Sequence, residues 1–169
     1  MSTLHRANGD LLSMARKGQF DIVIHGANCF NRMASGIAGQ ISREHPEAAS
    51  VDLSTQAGDR SKLGRWSMVK VHGEGSHTFY IVNAYTQYSY GRGKDIFEYD
   101  FFRDFLKSFQ TFLRSGAMAA PLDGKFAVGL PYIGCGLAGG NEDTIVKMLE
   151  SFSLSCHDIA EVTLVRYVR

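Results

Sequence analysis

The sequence predicts an α/β fold organised around a mixed central sheet. Apolar strand-like runs alternate with helix-periodic runs along the chain, which is the pattern of layered α/β architecture. Two glycine-rich loops, over 26–39 and 134–140, each pass from a strand-like run into a helix-like run. Two further strand-like runs, over 66–71 and 78–84, flank Gly73-Glu74-Gly75-Ser76, a hairpin turn that makes the sheet mixed rather than purely parallel.

The elements follow in order. A short N-terminal run ends at Asn8-Gly9-Asp10. A helix fits 11–16, closed by Lys17-Gly18, a cation and a glycine at the helix end. Residues 21–25 form a short buried strand. Helix resumes over 36–43 and stops before His45-Pro46, because a residue preceding proline avoids the α region. Residues 58–64 are polar and loop-like. After the hairpin, Asp95 and Glu98 resemble a capping box with Asp95 at the cap. Phe101, Phe105, Phe109 and Phe112, with Leu106 and Leu113, then recur at helical spacing as a core stripe. A loop over 115–124, a strand over 126–133, a helix from Asn141 to about Phe152 and a strand over 161–168 complete the chain.

With 169 residues the chain forms one domain, 1–169, large enough to fold without a disulfide or a metal. A net charge of +1 argues against a protein that holds a polyanion by charge alone, so nucleic acid is not expected as its ligand. Cys29, Cys135 and Cys156 are widely spaced and odd in number, which points to a reducing, cytoplasmic compartment. No run has membrane length. His72 and His77 straddle the hairpin turn without further ligands, so no metal site is expected, and His5, His45 and His157 read as surface residues.

The glycine loops carry the chemistry. Glycine lets backbone approach a ligand closely, and a helix start behind such a loop offers N–H groups to an anion. One loop suits a phosphate; two suit a diphosphate gripped from both sides, although tight strand–helix turns also use glycine. Gly134, Gly136 and Gly139 satisfy G-x-G-x-x-G after a strand. Only one strand follows, however, and it ends Arg166-Tyr167-Val168-Arg169 with no acid, which leaves no second half for a dinucleotide-binding sheet. His25, at a strand end, reads either as a nucleophile or acid–base group or as a hydrogen-bonded structural histidine. The run 85–94 mixes tyrosines with cations and reads as a loop flanking the cleft.

Taken together, the loops resemble those of macrodomains, the ADP-ribose-binding fold, and the resemblance covers nearly the whole chain. Gly9-Asp10-Leu11-Leu12 is similar to the segment whose aspartate accepts the adenine amino group. Asn28 falls near the asparagine that contacts the distal ribose. Ala34-Ser35-Gly36-Ile37-Ala38 resembles the first diphosphate loop, with Ala34 and Ser35 in place of glycines. Ile133-Gly134-Cys135-Gly136-Leu137-Ala138, after Pro131-Tyr132, resembles the second. Tyr167 falls where many members place an aromatic beside adenine.

Ile24-His25-Gly26-Ala27-Asn28-Cys29 is similar to the branch that hydrolyses ADP-ribose 1''-phosphate, which implies catalytic roles for His25 and Asn28. A neighbouring branch that removes ADP-ribose from carboxylate side chains uses a lysine and an aspartate; here Asn83-Ala84-Tyr85 and Gly136-Leu137-Ala138 lack both. A close phosphatase variant has an aspartate where this chain has Asn141, leaving Glu142 or Asp143 as the nearest acids. The resemblance implies a three-layer α-β-α fold, ADP-ribose or its 1''-phosphate as ligand, no cofactor, and a monomer; a non-catalytic ADP-ribose reader and a hydrolase of ADP-ribosylated protein or nucleic acid are the alternatives.

Overall fold

The computed structural model describes residues 2–90, 96–136 and 138–168. A six-stranded sheet runs through its centre in the order β1-β6-β5-β2-β4-β3. The strands are β1 (His5–Gly9), β2 (Ile22–Asn28), β3 (Trp66–His72), β4 (Thr78–Gln87), β5 (Phe126–Leu130) and β6 (Ala160–Tyr167). Only β3 is antiparallel to its neighbour, paired with β4 from Trp66↔Ala84 to His72↔Thr78. The other pairings are parallel, so the strands β1, β6, β5, β2 and β4 all end on the same edge of the sheet.

Helices cover both faces, as parallel strands require. Helices α1 (Leu11–Arg16), α2 (Gly36–Glu44) and α3 (Pro46–Leu53) pack on one face around Val23, Phe79 and Ile81. Helices α4 (Tyr99–Arg114) and α5 (Glu142–Ser155) pack on the other around Ile22, Ile24 and Val82. The alternation Ile22-Val23-Ile24 sends successive side chains to opposite cores, which is why this strand is apolar throughout. The three-layer α-β-α class expected from the sequence is the observed one.

The departures have local causes. Strand β5 stops at Leu130, not Ile133, because Pro131 has no N–H to give the ladder and Tyr132 to Cys135 turn back on themselves. Helix α3 was not anticipated; His45 ends α2 and also caps α3, with Pro46 in the first turn where its missing donor costs nothing. His45 is therefore not a surface residue: it is 5% exposed and meets Phe79 edge-on at 5.4 Å. Glu98 occupies the cap of α4 itself, so it is not the third helical residue of a capping box, and Asp95 lies outside the described residues. In α4 the buried stripe is Phe102, Phe105, Leu106, Phe109 and Leu113, while Phe101 and Phe112 are only partly covered.

Candidate functional site

The carboxyl ends of the parallel strands open onto one cleft, the place where open α/β sheets bind ligands. It consists of two joined cavities that share Gly36, Ile37, Pro131 and Tyr132. The larger, about 790 Å³, lies over the ends of β1 and β6 and is lined by Gly9, Leu11, Gln40, Arg43 and Tyr167 among others. The smaller, about 360 Å³, lies over the end of β2 and is walled by 33–38 on one side and by Ile133, Gly134, Gly136 and Ala138 on the other. The two glycine loops thus face each other, because β2 and β5 are neighbours in the sheet, paired Ile22↔Val128.

Each wall is fixed from behind. The Asn28 amide donates to the Arg32 carbonyl at 2.8 Å, and its oxygen accepts from the N–H groups of Phe30 at 2.9 Å and Arg32 at 3.4 Å. Ser35 then holds the N-cap position of α2 without a side-chain cap hydrogen bond, and Gly36, Ile37 and Ala38 of the first turn line the smaller cavity. In the second loop Gly140 N–H donates to Gly134 O at 2.7 Å and closes a compact turn before Asn141 caps α5 by accepting from Thr144 N–H at 3.0 Å. Gly26 forms the floor between the walls. A Cβ there would meet the Thr86 hydroxyl at 2.9 Å and Ile133 at 3.0 Å, so only glycine leaves the floor open. That Thr86 hydroxyl is buried and has no partner among the described residues.

Most of the expected ligand-binding residues line the cleft: Leu11, Ala34, Ser35, Gly36, Ile37, Ile133, Gly134, Gly136, Ala138 and Tyr167, together with Asn28. Leu137 lies outside the described residues. Asp10 sits just behind the larger cavity, between Gly9 and Leu11 that line it; one carboxylate oxygen caps α1 through Ser13 N–H at 3.0 Å and the other accepts from Gln40 at 3.4 Å. Cys135 turns away, its thiol donating to Ile133 O at 3.6 Å, and burial pushes its pKa up to about 11, so it stays a neutral thiol.

His25 lies beneath the floor and lines neither cavity. It is wholly buried, and its Nε2 meets Asn83 Oδ1 at 2.6 Å. The Asn83 amide donates to Ala48 O and Ser67 Oγ, both at 3.1 Å, so its oxygen is the acceptor and His25 Nε2 carries the proton. Nδ1 has no partner among the described residues. Burial pushes the imidazole pKa down to about 4, against the opposing effect of the Asn83 bond. The ring is therefore neutral throughout the physiological range.

This depression has a measurable sign. The unfolded chain binds a proton at His25 near pH 6.5 and the folded chain does not until about pH 4, so the stabilisation present above pH 6.5 is lost as pH falls through that window. The loss reaches on the order of 3 kcal/mol by pH 4, with buried His45 acting in the same direction. Urea titrations from pH 7.5 to 4 should show it, and His25→Gln should flatten the slope. An unchanged slope in that variant would place the sensitivity elsewhere.

Gln87 and Tyr90 of the run 85–94, read as a loop flanking the cleft, line the smaller cavity, although 85–87 belong to β4; Arg32 there, and Gln40, Arg43 and Arg166 at the larger cavity, were not singled out from the sequence. Arg166 lies over the Tyr132 ring at 4.0 Å and is held by Glu142 at 2.6 Å. Its only sequence signal was a cation at the tip of the last strand. Among the described residues no group of three or more His, Cys, Asp or Glu is placed to hold a metal ion, and no helix is long and apolar enough to cross a membrane.

Among solved structures, the macrodomain of Mycobacterium tuberculosis DarG matches 100% of this chain and 99% of its own, with a TM-score of 0.72 at 18% identity. The fold is a macrodomain. The same arrangement recurs in Thermosipho africanus DarTG in complex with ADP-ribose, with a TM-score of 0.71 at 14% identity over 95% of this chain and 41% of that one. A Trypanosoma brucei macrodomain in complex with ADP-ribose matches 99% of this chain and 64% of its own, with a TM-score of 0.64 at 12% identity. In sequence, this chain is 32% identical over 146 residues, 86% of each chain, to an uncharacterized 17.5 kDa protein of the tk–vs intergenic region of Enterobacteria phage T4. It belongs to the family of that phage protein. No family model matches the sequence.

Proposed function

We propose that this macrodomain binds ADP-ribose along the two joined cavities and hydrolyses the phosphomonoester of ADP-ribose 1''-phosphate. The observation that carries the reading is the continuous cleft, with Leu11 and Tyr167 at one end and Asn28 and the facing glycine loops at the other. Adenosine belongs in the larger cavity, against Tyr167 and within reach of Asp10. The diphosphate belongs at the shared waist of Gly36, Ile37, Pro131 and Tyr132, and the distal ribose over Gly26 and Asn28. Likeness of fold to structures solved in complex with ADP-ribose supports ADP-ribose as the ligand.

Hydrolysis needs little covalent chemistry from the protein. Water attacks phosphorus, the bond to the 1'' oxygen breaks with its electron pair on that oxygen, and one water proton ends on the ribose hydroxyl. Loop N–H groups hold the phosphoryl oxygens as charge spreads over them. Burial makes His25 a positioning residue in this reading: through Asn83 it ties β2 to β4 and to α3 beneath the distal ribose. A second reading, a reader without turnover, is favoured by the absence of any carboxylate among the described residues that line the smaller cavity, Asn141 being committed to capping α5.

Calorimetry should give a micromolar Kd for ADP-ribose, about −8 kcal/mol, and far weaker binding of AMP, which reaches only one cavity. Equal affinities would refute the joined-cavity placement. Incubation with ADP-ribose 1''-phosphate and, separately, with ADP-ribosylated protein and nucleic acid should release phosphate from the first. Free ADP-ribose released from the second or third would establish the hydrolase alternative, and binding without either product would establish the reader.

A further inference from the structure

We propose that Arg32 is a specificity-determining residue that recognises a dianionic phosphomonoester on the distal ribose, so that the smaller cavity prefers the phosphorylated ligand to ADP-ribose itself. This rests on the ADP-ribose reading above. Arg32 is the one charged side chain among the described residues lining that cavity, and the rest of its lining is apolar, aromatic or neutral. A cavity with a lone cation and no carboxylate favours a ligand with excess negative charge at that end.

The guanidinium is solvent-exposed and has an aromatic neighbour at the mouth of the cavity. It lies over the Tyr90 ring at 4.6 Å. Tyr90 in turn meets Phe30 edge-on at 6.1 Å, and Phe30 meets Tyr88 at 4.9 Å, so an aromatic wall backs the cation. Its backbone is clamped at both the N–H and the carbonyl by the Asn28 side chain. The same turn holds Asn31 in a left-handed conformation at φ 61°, with its amide donating to Thr55 O at 2.9 Å. Arginine presents a planar fork of donors that matches a phosphate better than a lysine ammonium does. Further along the same loop, Gly36, Ile37 and Ala38 of the first turn of α2 also line the cavity, at the positive end of a nine-residue helix. A terminal phosphate over Gly26 would thus meet a side-chain cation together with backbone donors of that loop.

The test is displacement of a fluorescent ADP-ribose analogue, read within the mixing time so that turnover does not intervene. ADP-ribose and ADP-ribose 1''-phosphate compete against wild type, Arg32→Gln and Arg32→Lys at low and high salt. Wild type should prefer the phosphorylated ligand by about tenfold or more, and salt should narrow the gap. Arg32→Gln should bring the ratio close to one, with Arg32→Lys between. Equal wild-type affinities would overturn the proposal, and so would an Arg32→Gln variant that weakens both ligands alike, since Arg32 would then serve the diphosphate. Failure of the analogue and of ADP-ribose to bind wild type at all would instead remove the ADP-ribose reading, and the Arg32 assignment with it. Arg32 is exposed, and a thermal melt of each variant should match wild type.

Discussion

Gly134→Ala should unfold the second loop and abolish ADP-ribose binding. A Cβ at this position would lie 2.3 Å from Phe97 Cδ1 and 2.6 Å from Cε1, with the backbone at φ +76°. Phe97 is 2% exposed and packs edge-on with Tyr99 and Phe102, both at 5.3 Å, so its ring has nowhere to go. Left-handed backbone at a residue with a side chain costs roughly 1–2 kcal/mol. Overpacking a filled core adds about 1–3 kcal/mol more. The destabilisation should therefore be about 2–5 kcal/mol, or roughly 5–20 °C in Tm for a chain of this size. Gly136→Ala is the matched control: nothing among the described residues lies within 4 Å of its Cβ, so the fold should melt within a degree or two of wild type while the ligand alone feels the methyl group. A Gly134→Ala protein with wild-type Tm and affinity would show that Phe97 yields.

Lys62→Met should cost about as much, through polar groups instead of shape. Lys62 is 7% exposed, and its ammonium donates to Cys29 O at 3.0 Å, Asn31 Oδ1 at 2.6 Å and Gln56 O at 3.1 Å. Its three protons are all used. The ammonium also lies over the Tyr85 ring at 4.8 Å, and the Tyr85 hydroxyl donates to Asp52 at 2.7 Å. Asp52 is 1% exposed, burial pushes its pKa up, and Lys62 is among the groups that hold it down. Removing the cation takes the charged donor from three acceptors, each left with one other donor (Gly58 N–H on Cys29 O at 2.7 Å, the Thr55 hydroxyl on Asn31 Oδ1 at 3.2 Å, Asp59 N–H on Gln56 O at 3.4 Å), and takes a nearby positive charge from buried Asp52, a loss of about 2–3 kcal/mol. The turn that carries Asn28 and Arg32 loses its anchor, so distal-ribose contacts should weaken as well. Arg60→Ala, which removes an exposed cation over the Tyr88 ring at 4.3 Å, should cost no more than about 1 kcal/mol. Denaturant midpoints of the two variants decide the matter; equal values would mean the buried ammonium is dispensable.

These two residues mark what the sequence could and could not reveal. Gly134 stood out because a dense glycine loop between a strand and a helix has a local reason, and the strand and helix themselves are written in apolar runs and periodicity. The sheet's layers and the facing loops were legible for the same reason, once the resemblance aligned them. Lys62 was not legible: in sequence it is one more cation in a polar stretch, and its meaning arises only where residues 29, 31 and 56 converge on it. His25 reads in sequence as a strand-end histidine, but β2 runs on to Asn28, which puts His25 inside the strand, buried beside Asn83 and beneath α3, a helix hidden by reading His45-Pro46 as a stop and not also as a start. Arg32 and Arg166 escaped for a related reason. Exposed arginines are common, and only the cavity they border distinguishes these two.

The pairing of β1 with β6, from His5↔Thr163 to Gly9↔Tyr167, bears on the order in which a ribosome can deliver a working protein. The end of the cleft lined by Gly9 and Tyr167 is made by the first and the last of the six strands. Joining them closes a loop of more than a hundred residues, the slowest kind of contact to form. The glycine loops around β2 and β5 can assemble earlier, while the larger cavity waits for β6. A product truncated before Ala160 would keep both glycine loops and lack the strand that brings Val165, Arg166 and Tyr167 to that cavity.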